Sequence, residues 1–300
     1  MKSLFIDCND QLAPILAQVH RPDDPPIAVN TKPFARDDLP DLLDGYAIAI
    51  DDHSYMPIDV IARCTTLKHI VFLGTGAASY MDVAALAGIG VTVHTIKGYG
   101  DTAVAEHTIA LMWACARDLA RMDRGVRAGV WQPREGMQLR GKTLGIVGLG
   151  GIGREVARIA GGMGMNVIAW NRTAVSSPVP LVSLDEILRR ADVLSLHLTL
   201  NDETRGLLDA TRLARLKPGA ILVNTARGAL VDEAALIAGL TSGRIRHAGL
   251  DVFHDEPLKA DHPLARLENV TLTAHAAFRT PEASQTLLRR AIDIVRQISG

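Results

Sequence analysis

The sequence predicts an α/β protein with two doubly wound parallel sheets, and three observations carry that prediction. Short apolar runs ended by polar residues or glycine alternate with helical patterns along most of the chain. A glycine-rich string near the middle stands between a strand pattern and a helix pattern. The length, 300 residues, exceeds one small domain and suits two.

Taken in order, residues 27–30, 47–50 and 70–73 are apolar runs that read as buried parallel strands. Residues 91–94 form a further strand, and helical patterns occupy 58–64 and 81–87. From 103 to 121 the pattern is one long helix, with Ile109, Leu111, Met112 and Trp113 among alanines, which implies burial on several sides. Gly125, Gly129 and Pro133 mark a loop, and residues 141–148 make a strand with turn signals at both ends. The alternation then becomes clearer. Strands are expected at 167–170, 193–198, 220–224, 247–252 and 270–273, and helices at 153–162, 184–190, 211–216 and 233–242. A last helix runs from about 281 to 298, with Pro281 at its first position after Thr280.

Composition narrows the function. Hydrophobic residues make up 48% and charged residues 22%, as in a soluble protein with a sizeable core. The net charge of -1 lacks the basic footprint of a nucleic-acid partner. Asp7, Asn9 and Asp10 break the only apolar run near the amino terminus, and no stretch has the length of a membrane helix. Cys8, Cys64 and Cys115 have neither disulfide nor zinc spacing, so no metal is expected and a cytoplasmic setting is.

Gly148, Gly150, Gly151, Ile152 and Gly153 belong to a string that fits G-x-G-x-x-G, placed between strand and helix as a Rossmann-like unit requires. Gly148 permits the tight turn, Gly150 lets backbone approach a pyrophosphate, and Gly153 lets helix and strand pack closely. Free N–H groups at the helix start then face the phosphates. The next strand should end in an acid that holds the ribose 2′-hydroxyl of NAD. Here it ends in Asn171, Arg172 and Thr173. An arginine fork suits a 2′-phosphate, so NADP(H) is favoured over NAD(H).

Four motifs extend this reading: Gly145 to Gly153, Leu216 to Ala220 running into Asn224 to Gly228, Gly249 to Phe253 followed by Glu256 and Pro257, and Asn269 to His275. With them the chain resembles the D-isomer-specific 2-hydroxyacid dehydrogenase family over nearly its whole length, in particular the reductases of glyoxylate and hydroxypyruvate. The resemblance implies roles. Arg227 binds the substrate carboxylate and keto oxygen. His275 is the acid/base, and Glu256 pairs with it. Asp251 holds the nicotinamide carboxamide, and Thr225 and Ala226 line the cofactor site. Gly74, Thr75 and Gly76 offer backbone N–H groups to the substrate carboxylate. Independent chemistry agrees. A 2-keto acid needs a cationic fork for its carboxylate and a proton donor for the developing alkoxide. A carboxylate beside histidine favours the imidazolium and fixes the ring. His254 is the best rival acid.

The resemblance also implies a discontinuous, flavodoxin-like substrate domain of residues 1–100 and 279–300, a dinucleotide domain of residues 101–278, an active site in the cleft between them, and a homodimer held by the 103–121 helix and the Trp131 loop. Three departures bear on the substrate. Asp51 and Asp52 stand where relatives with phosphorylated substrates carry basic residues, which disfavours phosphoglycerate. Glu256 stands where the similar formate dehydrogenases have glutamine. Thr199 and Asn201 replace the usual proline and threonine after His197, which puts that loop's phosphate contacts in question. The expected function is hydride transfer between NAD(P)H and a small 2-keto acid. NAD-dependent oxidation of another D-2-hydroxy acid, phosphoglycerate included, and a dinucleotide-sensing partner protein are the alternatives. His53, Tyr55, Tyr80, Tyr99 and Phe278 are candidates for shaping the substrate pocket.

Overall fold

The computed structural model describes residues 1–300. The chain divides into two units, Met1–Gly100 with Arg279–Gly300, and Asp101–Phe278. The first unit contains β1 (Ser3–Phe5), β2 (Ile27–Val29), β3 (Ile48–Asp51), β4 (His69–Phe72) and β5 (Thr92–Thr95). They form one parallel sheet in the order β2-β1-β3-β4-β5. Side chains on successive strand residues point to opposite faces. Leu4, Ile70 and Phe72 therefore enter one core, and Phe5, Val71 and Leu73 the other. The C-terminal helix Pro281–Ser299 covers the second face with Leu287, Leu288, Ile292 and Val295, which is why the end of the chain belongs to the first unit. Each such side chain contributes about 1.5–3 kcal/mol on burial.

Two features of this sheet differ from the sequence reading. β1 is an interior strand between β2 and β3, although only Leu4, Phe5 and Ile6 mark it in the sequence. β2 is an edge strand rather than a buried one, and Val29 is exposed. Nothing pairs beyond it, so its outer side needs no apolar cover.

An ionic clasp ties the segment before β2 to the last helix. The Asp24 side chain has no exposed surface. Arg289 grips it through two N–H groups, 2.6 and 2.8 Å away, Arg296 adds a third donor, and the Arg21 N–H a fourth at 2.7 Å. These bonds, Arg289 first, hold the Asp24 carboxyl far below its usual value against the opposing effect of burial. A depressed folded-state pKa stabilises the fold above the unfolded value, and that stability is lost as pH falls. Asp24→Asn leaves Arg289 with only the exposed Asp293 as counter-charge and should cost about 2–4 kcal/mol at neutral pH. Urea unfolding should show the gap between variant and wild type closing as pH falls below the ordinary carboxylate range. A gap that is constant with pH would refute the charge argument.

The second unit contains β6 (Thr143–Val147), β7 (Asn166–Trp170), β8 (Val193–Leu196), β9 (Ala220–Asn224), β10 (Ile245–Leu250) and β11 (Val270–Leu272). All are parallel, in the order β11-β10-β9-β8-β6-β7. The strand order reverses at β6, and ligands of such sheets bind outside the carboxyl ends of strands at that point. One face packs on helices Asp101–Arg117 and Gly151–Gly162 through residues such as Leu111, Met112, Ile146 and Val156. The other packs on Leu184–Arg190 and Glu233–Thr241 through residues such as Ile187, Leu188, Leu236 and Leu240.

The long helix expected over 103–121 is two helices. Asp101–Arg117 stops, Asp118 takes left-handed dihedrals (φ 54°), and Leu119–Arg127 follows. Asp118 tolerates that backbone better than most residues, and its carboxylate accepts from Arg134 Nε at 3.1 Å. No helix is long and apolar enough to cross a membrane.

Candidate active site

The glycine loop leaves the end of β6 at the reversal point. Val147 O accepts from the His197 N–H and the Gly148 N–H donates to Trp170 O, both at 2.8 Å, so β7 and β8 hold the loop from either side. Gly148 has φ 103°, and a Cβ there would lie 2.6 Å from His197 O, so glycine is required. Gly153 is buried, Ile152 is half-buried, and Gly150 and Gly151 are exposed. A Cβ on Gly150 would meet nothing within 4 Å. Helix Gly151–Gly162 starts there without a side-chain cap, and the Asp101 carboxylate lies beside Gly151 at its positive end.

Beyond β7 the three predicted residues differ. Asn171 Oδ1 accepts from the Leu149 N–H at 2.9 Å, and its amide donates to Thr173 O at 2.9 Å. Its side chain is thus committed to shaping the glycine loop. Arg172 and Thr173 are exposed. The Arg172 guanidinium is ion-paired with Glu203, a partner that the sequence reading missed.

Arg227 follows β9 on a loop that Asn224 pins. Buried Asn224 accepts from the Ala226 N–H at 3.0 Å and donates to Arg227 O at 2.9 Å. Gly228 brings this loop against the one after β10; a Cβ there would collide with the Phe253 carbonyl. Arg227 is half-buried, and its Nη1 donates to Ala226 O at 2.7 Å. Thr225 is buried and shares a 2.9 Å hydroxyl–hydroxyl bond with Thr108, while Ala226 is half-buried. Asn224 and Thr108 escaped the sequence reading because their partners are backbone groups or a residue far along the chain.

His275 follows β11 and has left-handed dihedrals, φ 49°. That conformation is uncommon outside glycine, though histidine is among the residues enriched in it, and it marks a backbone held from outside. Asp251 holds it. Asp251 O accepts from the His275 N–H at 2.8 Å. Its carboxylate accepts from the Ala276 and Ala277 N–H groups at 2.9 Å each and from the Thr273 hydroxyl at 2.6 Å. Because that hydroxyl proton goes to Asp251, Thr273 Oγ1 must accept from His107 Nε2, 3.0 Å away. Asp251 has no exposed surface. These bonds tie Asp251 to the loop that carries His275, and Oδ2 accepts only the one bond from the Ala277 N–H.

His275 Nδ1 lies 2.7 Å from Glu256 Oε2, while Glu256 Oε1 accepts from the Phe253 N–H at 2.9 Å. Burial alone would raise the Glu256 carboxyl. The hydrogen bonds from His275 and Phe253, with the charges of His275 and Arg227, outweigh it and hold the carboxyl below its usual value. Glu256 is therefore a carboxylate at neutral pH, and it takes the Nδ1 proton. Nε2 is left as the imidazole's working atom. A cavity of about 540 Å³ opens beside the pair, lined by Phe253, Leu258, Leu272 and Thr273. The rival His254 donates from Nε2 to Val231 O, 2.8 Å away, and forms no carboxylate pair.

Comparison with known proteins meets this geometry. Residues 109–277 match the model of the D-isomer specific 2-hydroxyacid dehydrogenase NAD binding domain. The chain belongs to that family. A glyoxylate reductase of Aeropyrum pernix is 40% identical over 248 residues, 78% of this chain and 73% of that protein. A D-3-phosphoglycerate dehydrogenase of Archaeoglobus fulgidus is 37% identical over 262 residues, 85% of this chain. The chain spans about half the length of that relative, 50%. Among solved structures, an acyclic imino acid reductase in complex with NADPH and D-Arg matches with a TM-score of 0.86 at 28% identity, over 100% of this chain and 97% of that one.

Within this family member the first unit shows one further correction. Asp51 and Asp52 are not two exposed charges. Asp51 is fully buried, and burial with the nearby Asp7 charge raises its carboxyl well above the usual value. Asp52 is 2.9 Å from His53 Nδ1. Asp7 accepts from the Asp52 and His53 N–H groups and the Ser54 hydroxyl at 2.7–3.1 Å. Three carboxylates, Asp7, Asp51 and Asp52, thus gather at this turn. Gly74, Thr75 and Gly76 form the turn after β4. Gly74 is buried with its N–H given to Phe72 O at 2.8 Å, Thr75 is exposed, and Gly76 is half-buried. Tyr80 stacks edge-on against His53, with ring centroids 5.1 Å apart.

Proposed function

We propose that this protein reduces a small 2-keto acid, glyoxylate or hydroxypyruvate, to the D-2-hydroxy acid with NADPH in preference to NADH. The observation that carries the reading is the 2.7 Å His275–Glu256 pair, on whose carboxylate the charge of Arg227 also acts. The open space at Gly150, the uncapped helix start and the tight Gly148 turn fit a dinucleotide pyrophosphate. The bound nicotinamide supplies the hydride. Arg227 binds the substrate carboxylate and polarises the keto oxygen. His275 Nε2 gives its proton to that oxygen, and Glu256 stabilises the imidazolium beforehand through Nδ1. Arg172 receives the 2′-phosphate, consistent with the NADPH held by the imino acid reductase relative.

Two further parts belong to the proposal. Trp113, Leu119, Val126, Val130 and Trp131 expose apolar surface along two successive helices and the loop after them, with Trp131 86% exposed, and this supports a homodimer through that face. Three buried free thiols suit a reducing cytoplasm.

A spectrophotometric screen of 2-keto acids with each cofactor tests the reading. Glyoxylate or hydroxypyruvate should be turned over with a lower KM for NADPH than for NADH. A strong NADH preference would remove the cofactor assignment. Turnover of 3-phosphohydroxypyruvate above the unphosphorylated acids would replace the substrate, and no turnover of any 2-keto acid would overturn the enzyme reading.

A further inference from the structure

The carboxylate missing from the end of β7 is present in space. Arg172 follows β7, and Glu203 lies in the loop after β8. β7 and β8 flank β6, one on each side, so both residues stand beside the glycine loop. The Arg172 guanidinium donates to Glu203 Oε2. Glu203 is placed by a turn rather than left to swing. Asn201 Oδ1 accepts from the Glu203 and Thr204 N–H groups at 3.1 and 3.0 Å, and the Thr204 hydroxyl donates to Thr199 O at 2.8 Å. Asn201, one of the two departures noted in this loop, builds the turn with its side chain, while Thr199 contributes only its backbone carbonyl.

A structural purpose explains the ion pair poorly. Side-chain exposure is 46% for Arg172 and 69% for Glu203, and a pair so exposed adds little stability. Its position explains it better. In a dinucleotide-binding sheet the end of the strand after the glycine loop reads the ribose 2′ substituent. We infer that Glu203 sets cofactor choice: its carboxylate accepts from the 2′-hydroxyl of NAD(H), and it competes with the 2′-phosphate of NADP(H) for Arg172. The inference rests on Arg172 as the 2′-phosphate ligand proposed above. Arg172 and Glu203 then act in opposite directions, and the enzyme admits both cofactors with a preference set by their balance.

Calorimetric titration with NADP⁺ and with NAD⁺, without substrate, reads this directly. Glu203→Gln removes the charge at an exposed site and leaves the turn intact. It should tighten NADP⁺ roughly fivefold and weaken NAD⁺ by a similar factor, the scale of one exposed charge contact. Arg172→Ala should weaken NADP⁺ by about tenfold or more while sparing NAD⁺. Unchanged Kd values for both cofactors in Glu203→Gln would overturn the inference, as would a shift of both in the same direction, which a merely structural loop would give. If Arg172→Ala leaves NADP⁺ binding intact, the NADP(H) reading itself falls. If Arg172→Ala loses NADP⁺ while Glu203→Gln is silent, only the role of Glu203 falls.

Discussion

His275→Gln is expected to lower kcat for 2-keto acid reduction by about 10²–10⁴-fold, the usual worth of a positioned general acid. Glutamine keeps a hydrogen-bonding side chain of similar reach but cannot hand over a proton. Because Asp251 fixes the loop through backbone N–H groups and Thr273, the substitution leaves the surrounding structure in place. NADP⁺ and NAD⁺ binding by calorimetry should therefore match wild type. Wild-type turnover would refute the assignment, and loss of cofactor binding would show that the loop had collapsed instead. The acid limb of the pH profile gives a second reading. Glu256 must be ionised to hold the Nδ1 proton. The bonds from His275 and Phe253 keep its carboxyl below the usual value, so it stays charged further into acid than a free glutamate. Protonation of Glu256 then ends the reduction at a lower pH than an unperturbed carboxylate would. Removing that carboxylate with Glu256→Gln should abolish this limb.

What could be read from the sequence depended on how local the cause was. Buried parallel strands announce themselves as apolar runs, so β4, β8 and β9 were legible from Val71, Leu194 and Leu222 and their neighbours. β1 was not: three residues beside Asp7 show no periodicity, and only pairing on both sides makes them an interior strand. The break at Asp118 was hidden because Leu119, Met122 and Val126 continue a helical pattern past it. In the site, Arg227, Glu256 and His275 were legible because each lies in or just after a recognisable motif, and the 2.7 Å pair follows. Asp251 was legible as a residue but not as a contact. Its bonds to the Thr273 hydroxyl and the Ala276 and Ala277 N–H groups depend on how the β11 loop folds back, which no local pattern announces. Glu203 was invisible, since nothing local links it to Arg172, 31 positions earlier.

Arg227→Lys separates charge from geometry. Lysine keeps the cation but loses the planar fork that meets a carboxylate with two parallel N–H bonds. Losing one charge-assisted bond of that kind should lower kcat/KM by about 10- to 100-fold, chiefly through the KM of the keto acid. Arg227→Ala also removes the charge that steadies the developing oxyanion, and should cost about 10³-fold or more, now in kcat as well. Neither change should disturb the loop. Asn224 holds it through the Ala226 N–H and Arg227 O, backbone groups that survive any substitution at 227, and Gly228 keeps its close approach to Phe253. The KM for NADPH is thus expected to stay near wild type in both variants. An Arg227→Lys enzyme with normal keto acid KM but a raised NADPH KM would move this arginine from the substrate to the cofactor. Unequal losses in kcat between lysine and alanine are the signature of a residue that both binds the ground state and stabilises the transition state.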